Sequence, residues 1–454
     1  MRSCVRSPGI EFDPSWRTES VRLLAAEVAT NRPDVLPILA DALEEAGCDA
    51  RPLLDHLRAD LRHFPACWVT PFLRRLQFDD ATLAQWEEAA YKIAWYRADT
   101  GHGFEYVEPK DGCPGDLPLV NFQHLPRHFD QLPPLVLPFA LDLRMINATT
   151  AGLSQLPSQS GIRVLGLKHA TEAPVRWDRL ADLLDLRSLF LWGNAVGDDV
   201  VSALTGVSQL TSLAFSRTQF NDASANIVRA MPWLQELHIR EHFHLTDATA
   251  RAIAAHPGLE VLNIADVRLT DAGFDSLMDF PRLRKLVAFG CNVGNDALRR
   301  LPRLEHLEEL NVGGSNVTDA VADQIAQLPN LQVLYLWRTG VTDAALERLA
   351  GCAGLRELYI GGQRITDDGL RAVGRMTGLR VLDLFATEVT EKGMEHLTSL
   401  TDLRVLKIGS TKVTDAGLEP LRALTRLQSF DSSFSRVSDD ASRAFVASLP
   451  NCGP

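Results

Sequence analysis

The apolar positions of this chain recur on a fixed frame. A leucine, a second three residues on and a third two further occur as Leu331, Leu334 and Leu336. They return as Leu355, Leu358 and Ile360, as Leu379, Leu382 and Leu384, and as Leu403, Leu406 and Ile408, a step of 24 residues. The same frame catches Leu307, Leu283, Leu259, Leu234, Leu210, Leu186 and Ile162 upstream and Leu427 downstream. One step, after Leu234, is 25 residues, and the extra residue falls at His242, Phe243 and His244. A weaker copy at Pro138, Leu141 and Leu143 extends the series. So regular a period means an array in which neighbouring copies bury one another's apolar faces.

Each copy splits in two. The first half, such as Leu379 to Leu384, is short and alternating, which predicts a strand. The second opens with a hydroxyl residue and an acid: Thr246-Asp247, Thr270-Asp271, Thr318-Asp319, Thr342-Asp343, Thr366-Asp367, Thr390-Glu391, Thr414-Asp415 and Ser438-Asp439. Such pairs suit a helix N-terminus, where the hydroxyl accepts from an orphan N–H and the acid meets the positive dipole end. Apolar residues then follow at helical spacing, as in Leu418, Leu421 and Leu424. The acids are read as capping; a cation or basic-partner site is the competing reading. Position nine holds a small polar residue in Asn194, Thr218, Cys291, Ser315, Thr339, Thr387, Thr411 and Ser435, suited to satisfying backbone groups where the chain leaves the strand. Cys352 stands where other copies have Leu328 and Leu400 and is expected to be a core thiol.

These leucines resemble the leucine-rich-repeat family, in 24-residue copies of the ribonuclease-inhibitor-like or cysteine-containing-like kind. The resemblance covers residues 138–454, about 13 repeats. It implies an α/β horseshoe solenoid, with a parallel sheet on the concave face, helices on the convex face and a macromolecular partner on the concave side. Phe430 and Ser432 replace strand leucines in the last copy, as the end of an array requires.

Residues 18–98 carry no such repeat and are expected to form a small all-α domain. Leu23, Leu24, Ala25 and Val28 make one apolar helical face, the run Ile38 to Ala46 stops at Gly47, and Leu53, Leu54, Leu57 and Leu61 continue the pattern. Trp86, Ala90, Ile93 and Ala94 suggest a further helix. Leu39-Ala40-Asp41, Leu43-Glu44-Glu45 and Gly47 resemble a bacterial repeat-companion domain that precedes such arrays; Ala42 and Cys48 depart from its pattern. Residues 1–17 are expected to be a flexible terminus. Residues 99–137, rich in glycine and proline, read as a linker and solenoid cap. Gly101-His102-Gly103 lacks the remaining glycines and lysine of a phosphate loop and reads as a turn.

The candidate site comes from strand alternation. If Leu334 and Leu336 face the core, Tyr335 and Trp337 face the other way. The same columns hold Phe190, Trp192, His238, Arg240, Phe289, Tyr359, Asp383 and Phe385, with Arg217 and Arg338 one residue beyond. Aromatics and arginine dominate interface hot spots and cost solubility when left bare; the plainer reading is that aromatics favour strands.

Composition narrows the class. The formal charge of −12 argues against nonspecific binding to nucleic acid or anionic membranes. No apolar run reaches membrane-spanning length, and Met1 to Pro14, with two arginines but no apolar stretch after them, is not expected to act as a secretory signal. The seven cysteines, Cys4, Cys48, Cys67, Cys113, Cys291, Cys352 and Cys452, are scattered, without metal or redox spacing. They suggest reduced thiols in a cytoplasm. The expected protein is therefore a monomeric, cytoplasmic, non-enzymatic scaffold with no cofactor or metal, binding a protein or peptide. Two alternatives are an F-box-like substrate receptor of a ubiquitin-ligase complex and an enzyme or metal site at the His242–His244 loop. That loop, with His238, Glu236 and Glu241, is otherwise read as a solvated bulge made by the inserted residue. His124 and His128 have helical spacing, but nearby prolines argue against a metal pair.

Overall fold

The computed structural model describes residues 14–16, 18, 20–21, 24, 36–58, 85, 90, 92–97, 105–107, 117–122, 139–156, 161–169 and 175–452, apart from 243, 244 and 363. Cys4, Cys67, Cys113, Leu61, Trp86, Gly101 to Gly103, His124, His128 and His244 lie outside these residues. The chain divides into two compact units, Met1–Gln219 and Phe220–Pro454.

In the first unit, α1 (Leu36–Glu45) and α2 (Arg51–Arg58) form a helical pair. Leu39, Leu43, Leu53, Leu54 and Leu57 are fully buried between them, with Trp16, Val21 and Cys48 in the same core. Gly47 ends α1 at φ +89°, a left-handed conformation open to glycine. The following N–H, of Cys48, reaches back to the Leu43 carbonyl at 2.9 Å, the wrap-around bond of a glycine-capped helix end.

The helix expected over Trp86 to Ala94 does not reach its last two residues, Ile93 and Ala94, and Trp86 lies outside the described residues. Ile93 and Ala94 lie instead in strand β1 (Lys92–Arg97), which pairs antiparallel with β2 (Glu105–Val107) and β3 (Leu117–Asn121). Within Ile93-Ala94-Trp95-Tyr96 the β-branched and aromatic residues favour a pleated surface, and long-range pairing outweighs the local helical spacing. The glycine- and proline-rich stretch thus contributes two strands. β3 starts the parallel series, pairing with β4 (Phe139–Asn147), which is followed by β5 (Ile162–Lys168), β6 (Ser188–Trp192) and β7 (Ser212–Ser216).

The second unit is the clearest form of the repeat. Its strands β8 (Glu236–Arg240), β9 (Val261–Asn263), β10 (Lys285–Val287), β11 (Glu309–Asn311), β12 (Val333–Tyr335), β13 (Glu357–Tyr359), β14 (Val381–Asp383), β15 (Val405–Lys407) and β16 (Ser429–Asp431) pair in chain order, all parallel. The register puts Leu262, Leu286, Leu310, Leu334, Leu358, Leu382 and Leu406 in one line, each with 0% exposure. Each strand returns through a short helix or 3-10 turn. Among them are α3 (Asp343–Leu349), α4 (Asp367–Val373), α5 (Glu391–Met394) and the terminal α6 (Asp439–Ser448).

The acids do more than face a helix dipole. Asp319 accepts from the Thr342 N–H and hydroxyl, both at 2.7 Å. Asp343 holds Thr366 in the same way at 2.9 and 2.7 Å, and Asp367 holds Thr390 at 2.8 and 2.7 Å. Asp247 with Thr270 and Asp415 with Ser438 repeat the pattern. Each carboxylate therefore joins its copy to the next. Thr342 and Thr366 also accept from the helical N–H groups of Ala344 and Asp368. Thr414, expected to cap, makes no side-chain cap bond. Glu391, one methylene longer, makes no such link to it among the described residues.

Candidate partner-binding surface

With leucine on one side of β8 to β15 and Phe430 in its place in β16, the residues between form three columns on the open face of the sheet. In the second unit the middle column runs His238, Asn263, Val287, Asn311, Tyr335, Tyr359, Asp383, Lys407 and Asp431. Two residues on, at the strand exit, a further column runs Phe289, Gly313, Trp337, Gly361, Phe385, Gly409. Aromatic residues alternate with glycine at each 24-residue step, a pattern that strand alternation alone does not single out. The glycines give the rings room. A Cβ on Gly313 would stand 3.2 Å from the Trp337 ring, and one on Gly409 would stand 2.9 Å from that of Phe385.

The rings gather at the centre of these columns. Tyr335 and Tyr359 stack at 4.2 Å between centroids and 10° between planes. Phe289 and Trp337 stack across Gly313 at 5.6 Å and 25°. Arg338 places its guanidinium carbon 5.7 Å from the Trp337 ring centroid. Arg338 is left-handed, at φ 55°, the conformation that recurs at this position as Arg217, Ala386 and Ser410. The Tyr359 hydroxyl donates to Glu357 at 2.9 Å. Burial first, then the neighbouring Tyr335 and Glu357, raise its pKa, so it stays a donor at neutral pH. Trp337 and Phe385 remain 37% and 40% exposed, so the surface is not closed by the chain's own described residues.

Other expected residues lie elsewhere or differ. Phe190 is buried with Leu119, Ala140, Val164 and Ala214, on the face opposite Leu189 and Leu191. Its ring serves the first unit's packing and is withdrawn from any open surface. Trp192 is half-buried with the Lys168 ammonium 5.4 Å from its ring, and Arg217 is exposed. His238 is nearly buried, its Nε2 3.9 Å from Glu236, and Arg240 is half-buried. Asp383 pairs with Lys407 at 3.5 Å and accepts the Phe385 N–H at 2.9 Å. The loop expected to be solvated is not so at His242, which is 1% exposed with its ring edge toward Phe220.

The thiols also differ in part. Cys291 is buried, donates to the Ile264 carbonyl at 3.1 Å, and is pushed by burial up to about 12. Cys352 is only half-buried rather than a full core residue, and Cys452 is also half-buried. Among the described residues, no three His, Cys, Asp or Glu side chains could jointly hold a metal ion. Among them, too, no helix is long and apolar enough to cross a membrane.

Residues 268–451 match the family model of a leucine-rich repeat region. Together with the strand-and-helix copies, this defines a leucine-rich-repeat solenoid. No curated protein matches the chain. Similar solved structures include an internalin from Listeria monocytogenes, 20% identical over 66% of this chain and 87% of that one, with a TM-score of 0.45. A leucine-rich-repeat protein of Leptospira interrogans is 15% identical over 72% and 86%, with a TM-score of 0.42. A TLR13–ssRNA13 complex is 17% identical over 65% and 47%, with a TM-score of 0.43. None of these scores reaches 0.5, and the fold rests on the strands and helices described above.

Proposed function

We propose that this protein is a non-enzymatic interaction scaffold that binds a protein or peptide on the open sheet face of its second unit. The observation that carries this reading is the pair of ring stacks, Tyr335 on Tyr359 and Trp337 on Phe289, with Arg338 beside them and Trp337 37% exposed. Aromatic and arginine anchors of this kind supply most of the binding energy at protein interfaces. A bare aromatic patch is costly in water, which favours a surface that is covered in use. The helical pair at the N-terminus is read as a repeat-companion domain, and the working form as a cytoplasmic monomer.

The test compares Trp337→Ala and Tyr359→Ala with Arg348→Ala on the helical side. Each aromatic replacement is expected to cost ~2 kcal/mol or more of binding, roughly thirtyfold. Partners captured by the full chain are quantified, and circular dichroism checks folding. Equal loss with the helical variant, or retention with both aromatic variants, removes the open face as the binding site.

A further inference from the structure

The middle column of the open face also controls a row of backbone donors. In four copies its residue has a short side chain that accepts the N–H two residues on. Asn263 takes that of Ala265 at 3.0 Å, Asn311 that of Gly313 at 3.0 Å, Asp383 that of Phe385 at 2.9 Å and Asp431 that of Ser433 at 2.9 Å. Where the column holds Tyr335 and Tyr359, no such acceptor exists. Val287 and Lys407 supply none either, so the N–H groups of Phe289 and Gly409, like those of Trp337 and Gly361, have no partner among the described residues; what sets the two tyrosine copies apart is that they are neighbours. These copies are adjacent, so the two donors lie roughly one strand spacing, ~4.8 Å, apart. The Tyr359 phenol is drawn toward the strand start by Glu357, away from the Gly361 N–H.

The charges beside these donors are unbalanced. Arg338 rests on the Trp337 ring and has no carboxylate partner among the described residues. The strand acids of the next two copies are engaged: Glu357 by Tyr359, and Asp383 by Lys407 and the Phe385 N–H. An exposed guanidinium and two open N–H groups together call for an anion, and the other copies show which one fits, since Asp383 and Asp431 present a carboxylate to the same backbone position. The geometry points to a partner that is an acidic peptide segment, one of whose carboxylates docks on the Trp337 and Gly361 N–H groups beside Arg338. The peptide's own apolar side chains then cover the ring stacks. This rests on the open-face reading above and supplies its partner chemistry.

The test measures fluorescence anisotropy of a short labelled peptide of alternating glutamate and serine, with its lysine–serine counterpart and a single-stranded RNA of similar length. The acidic peptide should bind at least roughly tenfold tighter than the basic one, the scale of one charge-assisted hydrogen bond. Tyr335→Asn places in that column the residue native at Asn263 and Asn311, so it should fold and cap the Trp337 N–H internally. It is expected to weaken the acidic peptide roughly tenfold or more, whereas Tyr335→Leu, which removes the ring but leaves the donor open, should lose clearly less. Equal losses for Asn and Leu overturn the carboxylate site, as does RNA binding that matches or exceeds that of the peptide. If the acidic peptide fails while captured partners still need Trp337 and Tyr359, the chemistry is wrong and the surface stands. If both fail, the surface reading falls as well.

Discussion

At the scale of single residues, position nine shows how one place in the repeat is filled by different chemistry. Thr339, Thr387, Thr411, Ser315 and Ser435 donate their hydroxyls to the carbonyl three residues before, closing the turn out of the strand. Cys291 fills the same place with a thiol, which donates to Ile264 instead. Burial lifts its pKa from 9.0 to about 12. Because the folded value lies above the unfolded one, its contribution is complete below about pH 9 and is lost as pH climbs toward about 12, a span worth ~4 kcal/mol. Wild-type protein should therefore lose more stability than Cys291→Ser between about pH 8 and about pH 11 in denaturant melts. Parallel losses in the two would place the thiol in water.

Among the elements, the acid–threonine links set the energetics of the helical side. Replacing Thr342 or Thr366 by alanine removes a helix cap and a bond to the preceding copy, at a cost of about 1–2 kcal/mol. Thr414→Ala removes neither and should be nearly silent. Conversely, Glu391→Asp shortens the side chain to the length used in the other links and should gain about 1 kcal/mol by engaging Thr414. Thermal melts of these variants check the order, and a Thr414→Ala loss as large as that of Thr342→Ala contradicts it. The same element shows what is legible in a sequence. The strand frame is legible because leucine burial repeats at a fixed step. The link is not, because Thr-Asp looks the same whether the acid serves its own helix or a threonine 23 residues on. Strand β1 is hidden for a related reason: its partners lie within the glycine- and proline-rich stretch, and only pairing with them outweighs the local helical spacing. The site is half legible. Alternation places Tyr335, Trp337 and Tyr359 on one face, but the open N–H groups appear only through what the neighbouring copies do with theirs. Phe190 obeys the same alternation and is still buried, because burial of a column depends on what lies over it.

Over the whole molecule, stability in an array is a sum of each copy's own terms and those of its interfaces, so the last copy has only one neighbour to lean on. Here it is also the least apolar. Phe430 is half-buried where Leu382 and Leu406 are sealed, and Ser432 stands in place of a leucine or isoleucine. What closes the end is α6, through Phe445, 1% exposed, whose ring meets that of Phe430 edge-on at 4.8 Å and 64°. Emptying such a site costs ~3–5 kcal/mol, more than one terminal copy can supply by itself. Phe445→Ala is therefore expected to release amide exchange across β16 and α6 while leaving β12 to β14 protected. Leu358→Ala removes a leucine from a copy packed on both sides, so its loss of protection should spread into β12 and β14. Hydrogen exchange read by mass spectrometry separates the two patterns. Uniform loss throughout the second unit in the Phe445→Ala variant would mean that the unit opens as a single block, with an end no weaker than its middle.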